Sequence, residues 1–274
     1  MSISDRGTAV IIINTIAATG IKAPAALAES WQRTQRVSEK VHALGVRDSA
    51  LYTPIYEAIM DDRDPAADPE VQRILTSGRI SNGVVMAGVE AMAYAAFRDT
   101  CTEHADAIVS AWAKPFEAAA KTLDNAHQRI GDVPLEDSAT ILQKGGDIAQ
   151  VWAQAQAAVH AVNTISGGWM ALGEFTNRAA NDQRYPVLRI ASVDYKMWQD
   201  QHLTGGRAGG RKITITPWEA VLAGLTLSLP TFTEYAQRVD TIQQGAEQAA
   251  AQLEDDGRAY MTGRRPGWHK VTVL

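Results

Sequence analysis

The sequence predicts a mainly α-helical protein: an elongated bundle with heptad-like, alanine-rich seams, and a small sheet of short strands in its later part. Three observations predict it. Apolar residues recur at alternating steps of three and four over long stretches, the period of one helix face. Capping signatures stand in front of several of these stretches. β-Branched runs are few, short and late.

Taken in order, Ser4 or Asp5 caps a first helix to about Thr19, stopped by Gly20. Pro24 sits near the start of a second, which runs to about Leu44 with Gly45 just past its end. On it Leu27, Trp31, Thr34, Val41 and Leu44 fall on one stripe. A third helix covers Ser49 to Met60. The acidic run Asp61 to Glu70, punctuated by two prolines, reads as a loop, and Asp68-Pro69 makes a cap and first-position pair for a short helix to about Gly78.

From Ser81 to Ile130 only Pro115 interrupts the helical pattern, and its missing N–H and its ring predict a kink or a restart there. Ala105, Val109, Trp112, Phe116, Ala119, Leu123, Ala126 and Ile130 form the clearest seam in the chain. Tyr94, Phe97 and Cys101 extend it upstream, with a second step of four that locally unwinds a supercoil. Gly145-Gly146 separates the segment Asp137 to Lys144 from a second seam, Ile148, Val151, Ala155, Ala158, Val162 and Ile165, behind the capping pair Asp147 and Gln150.

Thr216-Pro217-Trp218-Glu219 opens a helix over about 217–227. Thr231 and Glu234 open another over about 231–255, with a third seam of Phe232, Tyr235, Val239, Ile242, Ala246, Ala249 and Leu253. Val187 to Val193, Ile213 to Thr216 and Val271 to Leu274 are the three predicted strands. Composition shifts after Gly167-Gly168, so the expected division is a helical bundle over 1–166 and a mixed α+β part over 167–274.

Composition narrows the function classes. With 274 residues, 46% of them apolar, and a net charge of −5, the chain buries a sizeable core and is not a disordered polyelectrolyte. A single cysteine, Cys101, excludes an intramolecular disulfide framework, and its place on an apolar stripe makes it a packing residue. The apolar stretches Val10 to Ile16 and Val84 to Phe97 are short for a membrane span, and the first lacks the basic flank of a signal peptide, so a cytoplasmic protein or an assembled particle is the expected setting. Charge is uneven: residues 1–202 hold 18 basic and 24 acidic side chains, residues 203–274 hold 8 and 7.

Two late basic segments carry that difference. The loop GGRAGGRK, with Arg207, Arg211 and Lys212, resembles a phosphate cradle in its glycines and cations, but it lacks the G-K-[ST] ending of a nucleotide P-loop and leads into a predicted strand. The run Arg258 to Lys270 sets Arg264, Arg265 and Lys270 beside Trp268, materials that suit single-stranded nucleic acid or a protein contact.

Glu39 with His42 and Asp124 with His127 have the i, i+3 spacing of helical metal ligands, for which Glu57 or Glu90 would complete a carboxylate set. One pair has Asp in place of Glu, and no glutamate-bearing helix precedes the first pair. No metal site is therefore expected, and no other cofactor and no catalytic residue is singled out.

The expected function is that of a non-enzymatic structural or interaction protein, self-associating or docking as a subunit of a larger assembly through its seams. An alanine-rich composition, about one residue in six, suits close helix packing and would fit a phage or prophage particle component. Trp198, Trp268 and the face Phe232, Tyr235, Val239 and Ile242 are the candidate interface. One alternative is a nucleic-acid-associated accessory protein using segments 205–212 and 258–270. A second is an enzyme with a site where bundle and sheet meet, around Trp169, Glu174 and Asp194.

Overall fold

The structure is a computed structural model that describes residues 3–43, 48–81, 83–179, 185–198 and 215–261. It is mainly α-helical, and its contacts group into two compact units, each assembled from separate stretches of chain. Met1–Trp112 with Gly167–Ala180 makes the first, and Ala113–Ser166 with Asn181–Leu274 the second. Two long helices, α5 (Gly83–Ile130) and α7 (Gly146–Phe175), contribute to both.

The first unit contains α1 (Ile3–Thr19), α2 (Ala25–Ala43), a 3-10 turn at Asp48–Leu51, α3 (Tyr52–Met60) and α4 (Pro69–Ser81), with the early part of α5 and the end of α7. Hydroxyl groups on α2 fix its run against α5. The Thr100 hydroxyl lies 3.2 Å from that of Ser30, the Thr34 hydroxyl donates to the Ala93 carbonyl, and Ser38 donates to Glu90 at 2.8 Å. As residue number rises on α2 it falls on α5, so the two helices are antiparallel.

An aromatic series crosses the same unit, from Trp31 on α2 through Phe97 on α5 to Phe175 on α7, with ring centroids 5.3 and 5.9 Å apart. Arg98 closes its edge, lying over the Phe175 ring and pairing with Asp5 at 3.0 Å. Where α1 meets α7 the backbones come close. A Cβ on Gly168 would stand 2.5 Å from the Thr15 hydroxyl and methyl groups, whereas one on Gly167 would meet nothing within 4 Å. Gly168 is thus part of the packing and lies inside a helix.

The second unit is organised around the loop that follows α5. Gly131, at φ +75°, turns the chain, and the indole N–H groups of Trp218 and Trp152 donate to the Val133 and Leu135 carbonyls, both at 2.9 Å. Lys144 donates to the Ile130 carbonyl at the end of α5. A short α6 (Ser138–Leu142), capped by the Asp137 carboxylate, leads to Gly145 at φ +115° and on to α7. Later come a 3-10 turn at Pro186–Arg189, then α8 (Pro217–Leu222) and α9 (Phe232–Met261). Arg238 on α9 donates to the Leu188 and Ser228 carbonyls and to the Ser228 hydroxyl, and Tyr195 packs on Gly245.

Several expectations meet the structure directly. Every seam residue from Tyr94 to Ile130 is buried, and Ile108 and Ala120 join them, which widens the stripe beyond a two-position coiled-coil seam. The α7 seam is buried from Val151 to Ile165, while Ile148 is half-buried. On α9 burial stops after Ile242, and Leu253 is 74% exposed. The capping boxes at Thr216 and Thr231 are formed, each side chain accepting from the N3 amide while the N3 glutamate accepts from the cap amide. Helix α7 begins at Gly146, so Asp147 lies in its first turn instead of before it.

Helix α5 stays helical through Pro115, without a restart. Helix α8 ends at Leu222 and not near 227, because Gly224 takes φ +76° and the amides of Gly224 and Leu225 turn back to Val221 and Ala220.

The small sheet is corrected. Among the described residues there is no strand, only an isolated antiparallel bridge between Ala191 and Leu227. Val187 to Val193 begins in a 3-10 turn because Pro186 fixes its first position, and its β-branched residues are there to be buried. Ile215 and Thr216 precede α8 without strand pairing, while 213–214 and the strand expected over 271–274 fall outside the described residues.

Gly168→Ala drives a methyl into Thr15 and is expected to cost about 1–3 kcal/mol in chemical denaturation. Gly167→Ala, at an open helical position, is expected to be neutral or stabilising by up to about 1 kcal/mol. Equal effects would contradict the close approach.

Candidate functional site

Helix α3 is apolar on two faces. Pro54 and Ile55 are half-buried and Ala58 is fully buried, and half-buried Leu51, just before the helix, falls on the same side. Tyr52, Tyr56, Ile59 and Met60 follow the i, i+4, i+7 and i+8 spacing of a second face and stand 71, 63, 60 and 66% exposed. Exposed apolar residues scattered singly are ordinary on a protein surface. Four large ones on one face of a nine-residue helix form a contiguous patch, the kind that marks contact sites.

The sequence builds this helix tightly for its length. Pro54 lies in the first turn, where its missing amide costs nothing. At the other end the Asp62 and Arg63 amides donate to the Ile59 and Ala58 carbonyls, a Schellman closure in which Asp62 takes φ +53°. The chain then passes through the acidic loop to α4, whose first turn is capped by the Asp68 carboxylate accepting from Glu70 and Val71 at 2.9 and 3.2 Å.

Beside the apolar face lies a polar cleft of about 420 Å³, lined by Pro54, Glu57, Arg63, Asp68, Pro69, Glu70 and Arg73. Its cations are already matched. Arg63 bridges Asp61 and Asp68, and Arg73 grips Glu70 with two bonds of 2.8 and 2.6 Å. The Asp68 carboxyl is held below its usual range chiefly by the Val71 amide, then by the Glu70 amide and the Arg63 guanidinium, against the opposing effect of burial. Residues 57–73 hold six carboxylates and two guanidinium groups, so Glu57 and the loop that leaves α3 directly after Met60 make an acidic rim beside the patch along the chain. Glu57 makes no ion pair among the described residues.

Arg207, Arg211, Lys212, Arg264, Arg265, Trp268 and Lys270 lie outside the described residues. Phe232, Tyr235 and Ile242 are buried and Val239 is half-buried, so this face is covered by the chain itself. Trp198 is half-buried with its ring about 6 Å from those of Tyr185 and Tyr195.

The histidines of the two acid–histidine pairs meet other carboxylates. His42 stands 3.6 Å from Glu90, which also accepts from Ser38, and His127 meets Asp132 at 2.8 Å with Trp218 edge-on to its ring. Among the described residues no three His, Cys, Asp or Glu side chains gather as metal ligands would. Trp169 is buried and Glu174 exposed in the first unit; Asp194, in the second, accepts from the Met197 amide. Cys101 is fully buried, and burial pushes its thiol up to about 12.

The α3 face is the feature that sequence reading missed. Its spacing is visible in YTPIYEAIM, but nothing in a single sequence says which of two apolar faces a fold will cover. Among the described residues no helix is long and apolar enough to cross a membrane. Compared with known proteins, the chain matches no family model, no curated protein and no solved structure.

Because the folded Asp68 holds its charge to lower pH than the unfolded residue, its contribution is complete above the ordinary carboxylate range and is lost as pH falls through and below it. Asp68→Asn, which keeps a capping oxygen and removes the titration, is expected to flatten the acid limb of a stability–pH curve below about pH 4. An unchanged limb would contradict the assignment. The Cys101 thiol is expected to react with a disulfide reagent at pH 8 about 100-fold more slowly in the native protein than in denaturant, and rapid native labelling would contradict its burial.

Proposed function

We propose that this chain is a non-enzymatic interaction protein that self-associates, as a subunit of a larger assembly, through the outward face of α3. The observation that carries this reading is a helix apolar on both sides with one side left in water. Burying a large apolar side chain gains about 1.5–3 kcal/mol, so four on one face supply a contact core of useful strength. The long seams do not compete for this role, since α5 and the middle of α7 are already covered, and α9 is covered as far as Ile242. Association is therefore assigned to the short helix, in place of the heptad stripes.

Sedimentation velocity tests it. Over roughly 1–100 µM protein, the range of moderate protein affinities, the mass is expected to rise above that of one chain. Tyr56→Ser/Ile59→Ser, at two sites more than half exposed, is expected to leave the helical spectrum and melting temperature unchanged while raising the midpoint concentration about 10-fold or more. A single-chain mass at every concentration would remove the self-association reading.

A further inference from the structure

A self-association face on α3 needs a matching surface on the other copy. The face has two chemical demands: apolar cover for Tyr52, Tyr56, Ile59 and Met60, and positive charge for an acidic rim in which Glu57 has no ion pair among the described residues. Within this chain, two basic stretches lie outside the described residues. The segment 205–212 has cations and glycine but no aromatic or large aliphatic side chain, so it meets the second demand alone. Segment 262–274, TGRRPGWHKVTVL, meets both, with Arg264, Arg265 and Lys270, no acidic residue, and Trp268, Val271 and Leu274 as apolar cover.

Reach is sufficient. Thirteen extended residues span at most roughly 43–47 Å, whereas α3, with nine residues, is about 14 Å long. Trp and Arg are also the side chains that most often dominate interface energy, because they combine large contact area with charge or a polar tip.

We propose that the outward face of α3 is the docking site for segment 262–274 of a second copy of this chain, with Trp268 covering the tyrosine face and Arg264 and Arg265 set against the acidic rim. The contact rests on the self-association proposed above and names its partner. Apolar cover provides the affinity, and charge fixes which segment docks and in which direction.

Charge exchange on the full-length protein tests this, with sedimentation velocity as the readout and circular dichroism confirming that each variant keeps its helical content. Arg264→Glu/Arg265→Glu is expected to raise the midpoint of association about 10-fold or more, and Glu57→Lys to raise it several-fold, by placing like charges in contact. Combining the changes restores an attractive pair and is expected to bring the midpoint back below that of either variant. If Tyr56→Ser/Ile59→Ser disrupts association while Arg264→Glu/Arg265→Glu leaves it at the wild-type midpoint, the occupant is misassigned and the α3 contact stands. If the combined variant associates no better than either parent, the charge contact is overturned. A wild-type chain that stays single overturns both this inference and the reading it rests on.

Discussion

The continuous burial of one face of α5 is the constraint on which the rest depends. From Tyr94 to Ile130 its inward residues are nearly inaccessible to water, and they include the bulky Phe97, Trp112, Phe116 and Leu123. Each gains its burial energy only if other elements cover it. In the first unit α2 is held antiparallel to α5 by hydroxyl contacts, and Phe175 of α7 meets Phe97. In the second, α5 ends in a loop that two tryptophans clamp through their indole N–H groups. Alanine at Ala105, Ala119 and Ala126, and glycine at Gly168, keep neighbouring backbones close enough for this packing.

Polar groups are used sparingly and with definite partners, as burial requires. Arg238 ties α9 to two carbonyls on separate segments, and Arg178 closes the end of α7 by pairing with Asp106 and donating to the Thr102 carbonyl. The Trp112 indole N–H is an exception, buried without a hydrogen-bond partner among the described residues. Against this economy, α3 stands apart. Its tyrosines, isoleucine and methionine are kept in water beside an acidic loop, at no evident benefit to the isolated fold.

Much of the helical architecture was legible because its signals are local. The three–four spacing of the α5 seam, the Thr216 and Thr231 capping boxes and the Asp68 cap each need only a few neighbouring residues to be recognised. The strand expected over Val187 to Val193 failed for a related reason. Val187, Leu188, Ile190 and Val193 are apolar because they are buried, and a short apolar run does not distinguish a strand from a turn packed under a helix. The candidate face was legible in spacing and hidden in consequence: Tyr52, Tyr56, Ile59 and Met60 look like the core side of an amphipathic helix until the fold shows that Ala58 faces inward instead. The period of the α9 stripe suits an interface, yet its residues are buried in the chain's own core as far as Ile242.

If the long seams are consumed within the chain, the contact with another copy proposed above falls on α3. Hydrogen exchange read by mass spectrometry, on dilute and on concentrated protein, tests it most directly. Peptides covering Tyr52–Met60 are predicted to gain protection with concentration, while those from Ala105 to Ile130 stay equally protected throughout. Concentration-dependent protection of the α5 seam, with α3 unchanged, would move the contact from α3 to the long helix.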